Sequence, residues 1–166
     1  MVIDGMVYAT TRTNPGMGGE MLGFDAAEAA NMRGVQAVIS ITGGFAVVAD
    51  NTWRAFQAAD AVKADWAAAP YIADSASQFQ EVAASFVADR QDSQFKDDGD
   101  VVAALQNAEQ IEAEYRIPYL AHAPLEPMSA MVLLKDGRLD IWTGTQIPRF
   151  MQNGAATVAG LEPENV

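Results

Sequence analysis

Tyr115-Arg116-Ile117-Pro118-Tyr119-Leu120-Ala121-His122-Ala123-Pro124-Leu125-Glu126-Pro127 and, a little further on, Trp142-Thr143-Gly144-Thr145-Gln146-Ile147-Pro148 carry the densest pattern in this 166-residue chain. The first string opens on an apolar–polar alternation over 112–119, which predicts a strand. Its three prolines then forbid a regular helix, so the four-residue spacing of His122 and Glu126 has no helical meaning. The second string passes from strand to helix: Pro148 fits the first turn of a helix over about 149–159, and Gly160 fits its end. Between them, residues 131–135, Asp136-Gly137 and residues 138–142 predict a hairpin, because Asp-Gly supplies the positive φ angles of a type I′ turn.

Further out, residues 7–13 read as a strand that stops at Asn14-Pro15-Gly16-Met17-Gly18-Gly19. A short strand over 21–24 leads to Asp25, which with Glu28 forms an acidic variant of the capping box for a helix over 26–32, followed by Gly34. Residues 35–42 and 45–49 are strands about Gly43-Gly44. Asp50-Asn51 caps a helix over 52–65, whose Trp53, Phe56, Gln57, Asp60, Ala61 and Ala64 recur at helical spacing and are expected to face the core. After a linker at 67–70, an amphipathic helix is expected over 75–89. Asp92, Asp97, Asp98 and Asp100 surround Gly99 without the spacing or terminal Glu of a calcium loop, so 91–100 reads as a solvated loop with Asp100 capping a short helix over 101–108. The expected class is α+β: a small mixed sheet carrying two helices, then a hairpin and helix from another domain, divided at 1–70, 71–112 and 113–166.

Composition removes several function classes. Ten basic against 22 acidic residues give a net charge of −12, with no basic cluster to displace counterions from nucleic acid or an anionic membrane surface. The absence of cysteine excludes disulfides and thiolate ligation of zinc or iron–sulfur clusters by this chain. No run reaches the length of a membrane span, and residues 1–6 do not form a signal-peptide pattern. A soluble globular chain with a real core is expected.

Few residues suggest chemistry. Gln146 lies where a strand ends and a helix begins, beside Gly144 and Thr145. Its carboxamide offers donors and an acceptor without charge, which suits an oxo or sulfido ligand of a redox metal. On the residues alone it suits better a turn in which the amide satisfies local backbone groups. His122 has no second histidine for a metal triad. Glu126, set between prolines, could pair with Arg116 or Arg149. Gly16, Gly18 and Gly19 follow a strand, but Glu20 and Met21 replace the Lys and Ser/Thr of a phosphate loop. No Gly-x-Ser-x-Gly elbow accompanies His122.

Together the two quoted strings resemble the large, molybdopterin-binding subunit of the xanthine dehydrogenase/aldehyde oxidase family, in the isoquinoline 1-oxidoreductase beta-subunit branch. Residues 7–9, the helix after Asp25, Val47-Val48-Ala49-Asp50-Asn51-Thr52-Trp53 and Trp66 are similar to that family's α/β hammerhead domain. The resemblance implies that Gln146, with Thr145 and Gly144, contacts an apical ligand of a molybdenum–pterin dinucleotide, and that His122 and Glu126 help frame its cavity. It implies oxidation of an aldehyde or N-heterocycle with water as oxygen source, and a small iron–sulfur partner subunit. In that family a glycine-rich cofactor loop and a catalytic Glu come later in the chain. The sequence is therefore expected to be a piece of a longer subunit, without turnover alone, in either bacterial cytoplasm or periplasm. Either self-association or exposure of Ile141, Trp142, Phe150 and Met151 is then expected. Two other readings stand beside this: a non-catalytic acidic interaction module, and a small hydrolase using Glu126 and His122 within hydrogen-bond reach.

Overall fold

The computed structural model describes residues 2–72, 74–86, 93, 95–96 and 98–166. They form two compact units, Met1–Ile117 and Pro118–Val166, and the class is α+β as expected. In the first unit, β1 (Tyr8–Thr13), β3 (Val35–Ile41) and β4 (Gly44–Ala49) make a sheet of order β1-β4-β3. β2 (Met21–Asp25) pairs separately with β5 (Lys63–Trp66). The sheets, expected to be mixed, pair antiparallel throughout the described residues. The two-residue Thr42-Gly43 connection can only join antiparallel neighbours; a parallel pair needs a long crossover.

β4 is the central strand and is apolar along its whole length, as a strand covered on both faces must be. Phe45 and Val47 meet Ala29 of α1 (Ala27–Ala30) and Ala58 and Ala59 of α2 (Thr52–Ala61). Phe45 stacks between Phe24 and Trp66, with ring centroids 5.8 and 6.4 Å away. Alanines on the inner face of α2 let the helix lie close over these rings. The stripe expected to face the core is thereby corrected: Ala55, Ala58 and Ala59 are buried, whereas Trp53 is 68 % exposed and Phe56 is also exposed.

Asn51 caps α2 as expected, accepting from the Arg54 amide at 3.0 Å. The helix expected to reach residue 65 stops at Ala61, and Val62 turns extended. Residues 63–66 alternate outward and inward, and Ala64 and Trp66 reach the core only as a strand paired to β2. Ala61 and Ala64 also fit a three-residue helical spacing, which is why the helix reading ran on. α1 is shorter than expected: Asp25 stays in β2, its carboxylate accepts from the Ala27 amide at 2.9 Å, and Asn31 and Met32 close tight three-residue turns.

α3 (Ser75–Ala84) begins at Asp74, whose carboxylate takes the Ser77 amide at 2.8 Å. The helix expected over 75–89 stops at Ala84, with Ser85 capping it and Phe86 beyond it; residues 87–89 lie outside the described residues, as do Asp92 and Asp97 of the acidic loop. Asp100 caps α4 (Val101–Gln106) as expected. Residues 112–119, expected to form a strand, form none; they are exposed, and 112–118 make no backbone–backbone hydrogen bond among the described residues. The alternation is present, but among the described residues no strand edge meets it.

Candidate functional site

In the second unit, β6 (Ala130–Lys135) and β7 (Arg138–Thr143) form the expected hairpin, with Asp136 and Gly137 at φ 51° and 74°. α5 (Pro148–Ala159) follows, with Pro148 in its first turn and Gly160 ending it at φ 65°. The Leu161 amide donates to Ala156 O at 3.0 Å, and Gln152 Nε2 donates to Pro163 O (2.8 Å) and Val166 O (3.0 Å). The segment after the helix is thus tied back along α5.

The four residues between β7 and α5 hold the three expected site residues in one short loop. Thr143 Oγ1 donates to Ser129 O at 3.0 Å, fixing the end of the hairpin. Ile147, the residue before the helix, has no side-chain cap. Its amide instead donates to Thr145 Oγ1 at 3.2 Å, a hydroxyl turn that sets the helix entry. Gln146 sits at the bend, exposed, with no hydrogen-bond partner among the described residues. A Cβ added to Gly144 would meet nothing within 4 Å, so the outer side of the loop is open. The turn reading that competed for Gln146 is satisfied by its neighbour instead.

Beside the loop, an open cleft of about 730 Å³ lies between the hairpin and α5. Apolar Leu139, Ile141 and Met151 and polar Thr145, Arg149 and Gln152 are among the residues that line it. Gln146 does not line it. The sequence reading missed this cleft, although Leu139, Ile141, Met151 and Gln152 mark the faces that strand and helix periodicity turn toward each other. Trp142, Phe150 and Met151 are exposed as expected, and Ile141 is half-buried.

His122 and Glu126 lie in an irregular, exposed stretch. Among the described residues neither has a hydrogen-bond partner, so the hydrolase reading lacks its required contact. Arg116, considered as a partner for Glu126, pairs with Glu114, and no ion pair joins Glu126 to Arg149 among the described residues. No group of three or more metal-ligating side chains occurs there either, and no helix of the described residues is long and apolar enough to cross a membrane.

Residues 79–166, just over half the chain, match the family model of the molybdopterin cofactor-binding domain. The chain belongs to that family. It is 29 % identical over 150 residues to a nicotinate dehydrogenase subunit of Pseudomonas putida, covering 87 % of this chain and 12 % of that protein. It is 27 % identical over 175 residues to the isoquinoline 1-oxidoreductase beta chain of Brevundimonas diminuta, covering 99 % of this chain and 22 % of that one. Among solved structures, quinoline 2-oxidoreductase from Pseudomonas putida 86 superposes with a TM-score of 0.69 and a Cu,Mo-CO dehydrogenase with 0.67. Both are 16 % identical and share 99 % of this chain, but only 26 % and 27 % of their own length. At that identity the likeness is one of fold. The resemblance read from residues 115–127 and 142–148 thus holds, and the α+β fold is that of molybdenum hydroxylase large subunits. The chain spans about a quarter or less of the relatives it matches.

Proposed function

We propose that this chain is part of the large subunit of a molybdenum hydroxylase, and that Gln146 directs its carboxamide at a ligand of the metal. The observation that carries the reading is the loop itself: Thr145 takes the local hydrogen bond with Ile147, leaving the neighbouring amide exposed in a chain of the molybdopterin-binding family. The chemistry of the loop fits the group. An amide can donate or accept without adding a formal charge beside a metal whose oxidation state changes, and Gly144 leaves room on the open side.

When bound, the molybdenum–pterin dinucleotide would supply the two-electron oxidation in which water provides the oxygen entering the substrate, an iron–sulfur partner subunit taking the electrons. The residues of this chain position that group. Thr143 and Thr145 fix the two ends of the loop, Pro148 sets the helix entry, and Gln146 holds one contact. His122 and Glu126 are assigned to framing the cavity, not to touching reacting atoms. We assign residues 1–70 to a hammerhead-like domain, 71–112 to an acidic connection and 113–166 to the start of the cofactor-binding domain, although the family match reaches back to residue 79 and so takes in most of that connection.

Nicotinate, isoquinoline and quinoline, in the names of three relatives, are nitrogen heteroaromatics. They support an N-heterocycle over an aldehyde as substrate. A single amide contact cannot retain a pterin dinucleotide, so the 166-residue chain alone is expected to be inactive. The test is to purify the longer subunit with its iron–sulfur partner, measure bound molybdenum, and follow phenazine-linked oxidation of quinoline-class heterocycles and aldehydes. Metal-dependent turnover favouring the heterocycles is expected. A purified complex without molybdenum, or molybdenum-dependent turnover by the isolated 166-residue chain, would overturn the reading.

A further inference from the structure

Residues 67–72, which leave β5 after Trp66, cross the Asn14–Gly19 loop and are held on it at both ends. The Ala67 amide donates to Glu20 O at 2.9 Å, and Ala67 O accepts from Asn14 Nδ2 at 2.8 Å. At the far end the Tyr71 phenol donates to Met17 O. Between these points each glycine of the loop meets the crossing segment. A Cβ at Gly16 would come within 3.3 Å of Ala69 Cβ, and one at Gly18 within 3.3 Å of the Tyr71 ring. One at Gly19 would lie 2.9 and 3.1 Å from the Ala67 and Ala68 carbonyl oxygens. The glycines that do not complete a phosphate loop are thus accounted for by a segment of the same chain. These contacts are few and superficial. Ala68 and Pro70 are exposed, as are Tyr71 and Ile72, and the segment is neither helix nor strand. None of its residues joins the core cluster around Phe45 and Val47. A segment held by a few hydrogen bonds with little apolar burial opens at far lower cost than the core.

We propose that residues 67–72 are a strap that opens and closes over the glycine loop while the core stays folded, with the Tyr71 hydroxyl as its clasp. Closed, it fixes the chain as far as Tyr71 before the connection to the following helix begins. Open, the chain is free from residue 67. Six released residues add roughly 20 Å of reach, at about 3.3–3.6 Å for each extended residue. The match to the molybdopterin cofactor-binding family begins at residue 79, so the strap sets the length of the tether into that part. The proposal does not rest on the role of Gln146.

Limited chymotrypsin digestion tests this, with each cut located by mass spectrometry. Rates are taken relative to the cut after Tyr115, which is exposed and outside the strap. Cleavage after residue 71 requires the strap to open and follows the open population. Tyr71→Phe keeps a chymotrypsin site but removes the clasp; it should raise this cleavage roughly fivefold, as for loss of one hydrogen bond. Gly18→Ala leaves Tyr71 in place, crowds its ring and strains a backbone at φ 74°, so it should raise the cleavage at least as much. Val47→Ala opens a cavity at a fully buried core position. It should lower the urea midpoint and leave cleavage after Tyr71 unchanged. Unchanged cleavage in Tyr71→Phe and Gly18→Ala would overturn the proposal. So would a rise in Val47→Ala that matches its loss of stability, since the segment would then open only with the whole unit.

Discussion

Asn14 offers the sharpest test of how the first unit is held together. Its side chain is almost fully buried and, among the described residues, bonds only to main chain: Nδ2 donates to Ala67 O at 2.8 Å and to Glu20 O at 3.4 Å, and Oδ1 accepts from the Gly16 amide at 2.7 Å. At about 1 kcal/mol net for each good bond, and less for the long one, Asn14→Ala should cost about 2–3 kcal/mol. Gly19 lies against the same group. A Cβ there would overlap Asn14 Nδ2 and approach Ala67 O to 2.9 Å, so Gly19→Ala should cost about 1–3 kcal/mol by forcing the amide off its carbonyl. The second change acts mainly by displacing the side chain that the first removes. The double variant should therefore lose about 1 kcal/mol less than the sum. Urea unfolding followed by tryptophan fluorescence reads all three, since Trp66 adjoins Ala67. A loss below about 0.5 kcal/mol for Asn14→Ala, or strict additivity, would refute the reasoning.

Three further outcomes are expected. Phe45→Ala empties the position between Phe24 and Trp66 and should cost about 3–5 kcal/mol in the same urea experiment; a loss under about 1 kcal/mol would mean the stack is not the core. Gly137→Ala, at φ 74°, should cost the hairpin about 1 kcal/mol, read as faster hydrogen exchange of the β6 and β7 amides; unchanged exchange would contradict the turn assignment. The Asp74 carboxyl is held below the usual aspartate range by its bonds to the Ser77 side chain and then the Ser77 amide. A lowered folded-state pKa stabilises at pH above the unfolded value and ceases to as pH falls through the folded one. The first turn of α3 should accordingly fray in acid, and Asp74→Asn, which caps without titrating, should remove that pH dependence of amide exchange. Equal acid fraying in both proteins would count against Asp74 as its cause.

What was legible in the sequence was local. Asp136-Gly137, Pro148, Gly160, Asn51 and Asp100 each act within a turn of their own position, and each does in the structure what its chemistry predicts. What was not legible depended on partners distant in sequence. Residues 63–66 fit a helix or a strand until β2 is beside them. Trp53 and Phe56 have the right spacing but the wrong side, because Phe45 and Trp66 already fill the layer beneath α2 and leave room only for alanine. Residues 112–118 carry a strand pattern that no strand of the described residues pairs with. At the site, the strings around residues 118–127 and 142–148 were enough for the family and for the position of Gln146. The Thr145 hydroxyl turn that leaves Gln146 exposed is a matter of loop geometry, which residue type alone left open.

The most direct measurement of the central claim is the molybdenum electron paramagnetic resonance of the longer subunit, compared between the native protein and Gln146→Ala, with metal content and turnover determined on the same samples. Retained molybdenum, an altered metal signal and a kcat lowered roughly a hundredfold are expected, as for loss of one positioned donor. A metal-loaded variant with native signal and native turnover would contradict the account.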